Sequence, residues 1–120
     1  MSTAAQVRGA AGCICDSQIR DCLRIKALRF PVFYRGIRPL DSMGRGRVMA
    51  YDVPVRCGDV LVRPGELVFA DFDGIVVVPR EVEDEALQRA ADKASRESSS
   101  REELLQGRSL REVFDTYGAL

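Results

Sequence analysis

Pro79 divides the sequence into a first part with strand-like patterns and a last part with helical patterns. Before it, two apolar runs flank Asp73-Gly74, which is the strongest short-range signal of a β-hairpin. After it, apolar residues recur at three- and four-residue spacings from Val82 to Ala94, which predicts an amphipathic helix of about four turns. Strands followed by helices are typical of a layered α/β domain, with a mixed or mostly antiparallel sheet.

Shorter patterns predict the remaining elements. The continuous apolar run Ile75–Val78 predicts a central strand that is covered on both faces. Ser100 and Glu103 stand in capping-box register after a run of serines, which predicts a helix break followed by a short helical tail. Further strands are predicted at residues 12–15, 30–34, 47–51 and 53–57, and a further helix at residues 19–28.

Charge and residue usage exclude several classes of function. The sequence has 18 basic and 18 acidic residues, so it has no net charge with which to attract DNA or an anionic membrane. The first half is basic and the second acidic, which favours a small anionic substrate on the first half or simply two solvated surfaces. No apolar run is long enough to cross a bilayer and the start lacks the pattern of a signal peptide, so we expect a cytoplasmic protein.

The absence of histidine limits the available chemistry. It removes Ser/His and Cys/His nucleophiles and every site in which histidine binds zinc. The spacing of the four cysteines matches neither a CxxC pair nor a disulfide framework, so we expect buried thiols. A zinc site of four thiolates is disfavoured because Cys13 and Cys15 lie on one face of a predicted strand, which does not wrap a tetrahedral ion.

The most informative cluster is the segment Asp16–Asp21, between a predicted strand and a predicted helix, where α/β proteins tend to place ligands. One interpretation is an acidic helix start followed by a solvated arginine. The other is that one carboxylate of the cluster holds a hard divalent cation that otherwise keeps its waters, as Mg²⁺ does, while the adjacent arginine binds the carboxylate of a substrate. Pattern alone leaves both interpretations open.

Several motifs, taken together and in this order, resemble the RraA-like family. They are Asp16-x-x-x-Arg20-Asp21, Phe30-Pro31-Val32-Phe33, Gly36-x-x-Pro39, Val53-Pro54-Val55, Pro64-Gly65-Glu66-Leu67-Val68 and Ala70-Asp71-x-Asp73-Gly74 with the run that follows to Pro79. That family includes a regulator of ribonuclease activity and the class II aldolases that act on 4-hydroxy-4-methyl-2-oxoglutarate and 4-carboxy-4-hydroxy-2-oxoadipate. The resemblance extends from about Val7 to Leu120.

The resemblance implies a swivelling β/β/α (phosphohistidine-domain-like) domain over residues 1–120, in homotrimers or hexamers. It implies a lyase that cleaves 4-hydroxy-2-oxo dicarboxylic acids to pyruvate and a second oxo acid, with Mg²⁺ or Mn²⁺ as cofactor. Arg20 matches the family's substrate-binding arginine and Asp21 its direct metal ligand. Asp16 matches the acidic residue that opens the motif, and Glu97 resembles a glutamate that reaches the metal site of a neighbouring subunit.

Three departures from the family pattern affect these expectations. Ser17 and Asp59 stand where the family usually has glycine, which predicts strain if either position requires a positive φ. The sequence also has no match to the Gly-rich loop in the N-terminal part of longer family chains, so it resembles the C-terminal portion of the usual domain. Because the family includes a regulator, the alternative function is a non-catalytic protein that binds a ribonuclease through a surface formed by the Arg-rich first half with Phe30, Phe33 and Tyr34.

Overall fold

The structure, a computed structural model, describes residues 1–120 and divides into two compact units. The first unit comprises residues 1–65 and 70–77, and the second comprises residues 66–69 and 78–120. The helices are α1 (Ser2–Val7), α2 (Cys22–Ala27), α3 (Glu83–Leu105) and α4 (Leu110–Tyr117). The strands are β1 (Cys13–Ile19), β2 (Val32–Ile37), β3 (Val55–Cys57), β4 (Val60–Val62), β5 (Leu67–Ala70) and β6 (Ile75–Val78). None of the helices combines the length and apolar character that a membrane crossing requires.

The first unit is built on a parallel pair of strands, β1 and β2, with helix α2 in the crossover between them. The strands meet closely where they begin, because the Cys13 N–H donates to the Pro31 carbonyl at 2.9 Å. A Cβ at Gly12 would lie 3.1 Å from that same carbonyl oxygen, so this position favours glycine.

The order of strands and helices confirms the α/β class with C-terminal helices. The strands form three separate two-stranded sheets.

A β-bulge interrupts β1 just before the segment of interest. Cys15 pairs with Tyr34 and Gln18 pairs with Gly36. Two residues of β1 therefore lie opposite one residue of β2 between these pairs. The extra residue lies at Asp16 and Ser17, which therefore belong to a strand and not to a turn. Bulges change the direction of neighbouring side chains and are common beside functional sites.

Of the strand predictions for this part of the chain, one is confirmed and two are wrong. Strands β5 and β6 are neighbours joined through Asp71–Gly74, and the Asp71 N–H donates to the Gly74 carbonyl at 3.0 Å, so the predicted hairpin is confirmed. The prediction that Ile75–Val78 is a central strand is wrong, because its sheet has two strands and Val76 is exposed. The predicted strand at residues 47–51 is also wrong, since this segment has no strand partner.

In the second unit, α3 is one continuous helix of 23 residues. The predicted break at Ser98–Ser100 is wrong, because Ser100 lies inside the helix and is fully buried. Its Oγ donates to the Ala119 carbonyl at 2.6 Å, so the hydroxyl that resembled a cap instead joins α3 to the residues after α4. The capping box exists at the start of α4, where Ser109 and Glu112 bond to each other's backbone N–H groups.

Helix α4 is held against α3 by apolar burial and a polar contact. Val113 is fully buried, and the Tyr117 hydroxyl donates to Glu103 Oε1 at 3.0 Å. That hydrogen bond is the main cause that raises the pKa of Tyr117. The helix ends at Gly118, whose φ of 64° and N–H bond to the Phe114 carbonyl form a left-handed C-terminal cap.

Few side chains are buried in either unit. Phe30 is the one buried residue of the first unit, and Ser100, Val113 and Ala119 are those of the second. The expectation of buried thiols is wrong as well, since Cys13 is exposed and the other three cysteines are half-buried. Most apolar side chains of the chain are therefore in contact with solvent.

Candidate functional site

The first unit contains a cleft of about 530 Å³ between β1 and α2. We call it the β1–α2 cleft. Its lining includes Cys13, Cys15 and Ser17 from β1, and Arg20 and Asp21 from the connection to α2. Apolar side chains of α2 and of the neighbouring segments complete the wall: Ile25, Leu28, Val32 and Leu40. A few polar groups on an apolar wall are typical of small-molecule sites.

Arg20 is in the cleft but already has a partner. Its Nη2 lies 3.0 Å from Asp41 Oδ2, and both side chains are about half exposed. The Met43 N–H donates to Asp41 Oδ1 at 3.0 Å, and this bond and then the Arg20 charge lower the pKa of the Asp41 carboxyl. A carboxylate ligand of Arg20 would therefore have to replace Asp41 or share the guanidinium with it. No sequence pattern pointed to Asp41, which lies in a loop 21 residues after Arg20.

Asp21 is the neighbouring acid in the same cleft. It occupies the N-cap position of α2 with φ 61° and ψ 32°, and its side chain makes no capping hydrogen bond. A left-handed conformation is uncommon for residues other than glycine, although aspartate and asparagine tolerate it best. The carboxylate is exposed, so it is accessible to an ion or a substrate. Ser17 and Asp59 do not have a positive φ, so the strain expected at those two positions is absent.

Asp16 faces away from Arg20 and Asp21. It lines a second cleft, on the other side of β1, and there it forms an ion pair with Arg35 of β2. Its Oδ2 also accepts the Gly58 N–H at 2.7 Å, which ties β1 to the turn between β3 and β4. The contacts of Asp16 thus join β1, β2 and the turn between β3 and β4, which is a structural arrangement.

The remaining candidates lie outside the cleft. Glu97 belongs to α3 in the second unit, where Lys93 Nζ lies 3.4 Å from its Oε1. Phe30 is only 5% exposed, so it is not available to the aromatic docking surface that the sequence suggested. Phe33 is half-buried and Tyr34 is exposed.

The oxygen donors in the cleft fit a hydrated hard cation. Asp21 offers one exposed carboxylate, and the hydroxyls of Ser17 and Ser42 line the same cleft. No three Cys, Asp or Glu residues of the chain are grouped closely enough to hold a metal ion by themselves. Mg²⁺ keeps several waters and is commonly bound through one or two carboxylates, so a single aspartate suits it. Zinc, which prefers a closed set of four protein ligands in structural sites, does not fit.

Comparisons with known proteins identify relatives of this chain. A protein of Halalkalibacterium halodurans, provisionally named a 4-hydroxy-4-methyl-2-oxoglutarate aldolase, is 42% identical over 91 residues, covering 74% of this chain and 42% of that protein. An uncharacterized protein of Methanocaldococcus jannaschii is 34% identical over 113 residues, covering 92% of this chain and 53% of that protein. The chain therefore spans about half the length of the curated relatives it matches.

The fold comparison points to the same group of proteins. The crystal structure of an uncharacterized protein from Pseudomonas syringae pv. tomato superposes with a TM-score of 0.89 at 27% identity, covering 94% of this chain and 56% of that one. A sequence profile of the RraA-like family (Aldolase/RraA) matches residues 1–77, which include the whole of the β1–α2 cleft. The chain thus belongs to the RraA-like family.

Proposed function

We propose that this chain carries the substrate-binding arginine and the metal-binding aspartate of a divalent-metal-dependent aldolase. The reaction is cleavage of a 4-hydroxy-2-oxo dicarboxylic acid to pyruvate and a second oxo acid. The observation that carries the proposal is that Arg20 and the exposed Asp21, whose carboxylate makes no capping hydrogen bond, line one cleft. The aldolase names of several relatives support it.

The residues of the cleft match the charges that the reaction develops. Cleavage breaks the bond between C3 and C4, so the C4 hydroxyl loses its proton and the electron pair passes to the pyruvate enolate. Arg20 binds the carboxylate next to the 2-oxo group in a bidentate fork and stays close to the enolate oxygen as it gains charge. Mg²⁺ or Mn²⁺, when bound at Asp21, supplies Lewis-acid polarisation of the 2-oxo group.

Asp41 gives Arg20 a defined position before substrate binds. Because the pair is half exposed, solvent screens it and the exchange of one carboxylate for another is inexpensive. The apolar wall from Ile25, Leu28 and Leu40 keeps part of the cleft free of competing polar groups. These residues orient the substrate, and the N-terminal part of the longer family chains, with its Gly-rich loop, is expected to complete the site.

The test combines metal binding with product formation. Mn²⁺ binding to the chain is followed by electron paramagnetic resonance, and pyruvate release from 4-hydroxy-4-methyl-2-oxoglutarate by coupling to lactate dehydrogenase. We expect Asp21→Asn to lose Mn²⁺ binding and Arg20→Gln to keep it but to raise KM. Asn retains the left-handed backbone, so the first change removes charge without adding strain.

Asp52→Asn is the matched control, because Asp52 is also an exposed aspartate with a positive φ, at 56°, and does not line the cleft. Arg45→Gln serves in the same way for Arg20. Binding of Mn²⁺ that persists in Asp21→Asn, or that disappears equally in Asp52→Asn, would show that the metal site is elsewhere.

We further propose that the chain works as an oligomer of identical subunits. The first unit buries one side chain, while large apolar side chains stay in solvent, among them Ile37 at 63% and Val55 at 53% exposure. Monomeric domains of ordinary stability bury more of their apolar side chains than this. Association between subunits removes such side chains from water and stabilises the folded chain.

A further inference from the structure

Cys13 and Cys15 are adjacent thiols on one face of β1. Residues two apart on a strand point to the same side of the sheet, and both precede the bulge that alters this alternation. Both line the β1–α2 cleft, whereas Cys22 and Cys57 do not. All four cysteines carry free thiols, so no disulfide occupies the pair.

Strand β1 holds both side chains on one face and in one cleft, so the two thiols can turn toward a shared ligand. Burial raises the pKa of the Cys13 thiol, and so do the charge of Cys15 and a hydrogen bond with its side chain. Cys15 is fixed in place because its Sγ donates to the Phe33 carbonyl of β2 at 3.4 Å. The more exposed sulfur of Cys13 completes the pair at the cleft surface.

We propose that Cys13 and Cys15 form a two-thiolate binding site for copper(I) in this cleft. Thiolates are soft ligands that select copper(I) over the hard cations that aspartate prefers. Copper(I) binds two thiolates in a linear arrangement, so it needs no third protein ligand, and none is grouped with the pair. On binding, each thiol loses its proton to solvent, two Cu–S bonds form, and copper remains in its +1 state.

The copper site shares the cleft with the proposed aldolase site but uses different side chains. Arg20 and Asp21 supply oxygen and nitrogen groups, whereas the copper site uses the sulfurs of β1 alone. On copper binding, the Cys15 thiol exchanges its weak hydrogen bond to the Phe33 carbonyl for a Cu–S bond. The Phe33 carbonyl belongs to β2, the strand that pairs with β1. The measurements below follow copper and thiols and not pyruvate, so either proposal can fail without the other.

A protection experiment on the unaltered chain tests the site. Copper(I), supplied without oxygen as one equivalent of its bathocuproine disulfonate complex, is added before iodoacetamide, and tryptic peptides are analysed by mass spectrometry. Cys13 and Cys15 share the peptide Gly9–Arg20, while Cys22 and Cys57 fall in two other peptides. We expect copper to prevent alkylation of Gly9–Arg20 and to leave the other two peptides unchanged.

Variants give an independent measurement. The double variant Cys13→Ser/Cys15→Ser is expected to lose the ability to withdraw copper(I) from bathocuproine disulfonate, whereas Cys22→Ser/Cys57→Ser retains it. Circular dichroism confirms that each variant folds as the parent chain does. Equal alkylation of Gly9–Arg20 with and without copper overturns the proposal. The proposal is also overturned if Cys13→Ser/Cys15→Ser still takes up copper or if Cys22→Ser/Cys57→Ser no longer does.

Discussion

Replacing Ser100 with alanine tests the contact that holds the end of the chain to α3. Ser100 is fully buried in the middle of that helix, and its Oγ bonds to the Ala119 carbonyl at 2.6 Å. Ala119 is itself 8% exposed, so water has little access to the carbonyl when the hydroxyl is removed. The variant therefore leaves a buried acceptor without its partner.

The expected loss is the difference of two effects. An unpaired buried acceptor costs about 1–3 kcal/mol. Alanine is a better helix former than serine by roughly 0.5 kcal/mol, which offsets part of that cost. Ser99→Ala is the matched control, because it changes the same residue type one position earlier. The Ser99 hydroxyl bonds only to the Ser95 carbonyl of its own helix. Helix propensity cancels between the two variants, so their stabilities should differ by about 1–3 kcal/mol.

Urea unfolding followed by circular dichroism at the helical band measures this difference. The signal reports mainly on the second unit, because α3 has 23 residues while α1 and α2 have six each. With a typical slope for a small protein, the midpoint of Ser100→Ala should fall below that of Ser99→Ala by about 1 M urea. Equal midpoints would refute the reasoning, since the hydroxyl would then contribute nothing beyond a helical serine.

The capping box of α4 predicts a dependence on pH. Hydrogen bonds from Ser109 lower the pKa of Glu112 below its usual 4.5, so the carboxylate contributes stability above that value and loses it as pH falls through the folded-state pKa. Glu112→Gln should thus be less stable than the parent at neutral pH, and the gap should close as pH falls below 4.5 and through the folded-state pKa of Glu112; a gap that is constant with pH would contradict the assignment. For the proposed oligomer, dilution should lower the urea midpoint, and a midpoint that is independent of concentration would show that the folded chain is monomeric.

Local signals in the sequence predicted local structure well. Asp73-Gly74 needs only its own backbone preferences to form a turn, and the hairpin is there. The adjacency of Arg20 and Asp21 is equally local, so their shared cleft followed from position alone. The positions of Arg20 and Asp21 in the sequence, however, do not indicate Asp41 as a partner. An ion pair between residues far apart in the sequence produces no periodic pattern.

Predictions failed where a distant contact determined the outcome. Ser100 and Glu103 have the spacing of a capping box, but the Ala119 carbonyl binds the Ser100 hydroxyl from 19 residues away, and the helix continues. The run Ile75–Val78 has the composition of a central strand, yet a strand is central only when it has two neighbours. Arg35 and the Gly58 N–H contact Asp16 across other strands and turns of the first unit, and no local sequence pattern indicates these contacts.

The left-handed backbone at Asp21 restricts which acid can stand there. Glutamate carries the same charge, but its longer side chain gains little from local hydrogen bonds and it is rarely found with a φ near 61°. An Asp21→Glu exchange therefore combines a conformational penalty with a displaced carboxylate, although it is conservative by charge. The geometry of the main chain thus filters the amino acids at this position before any ligand does.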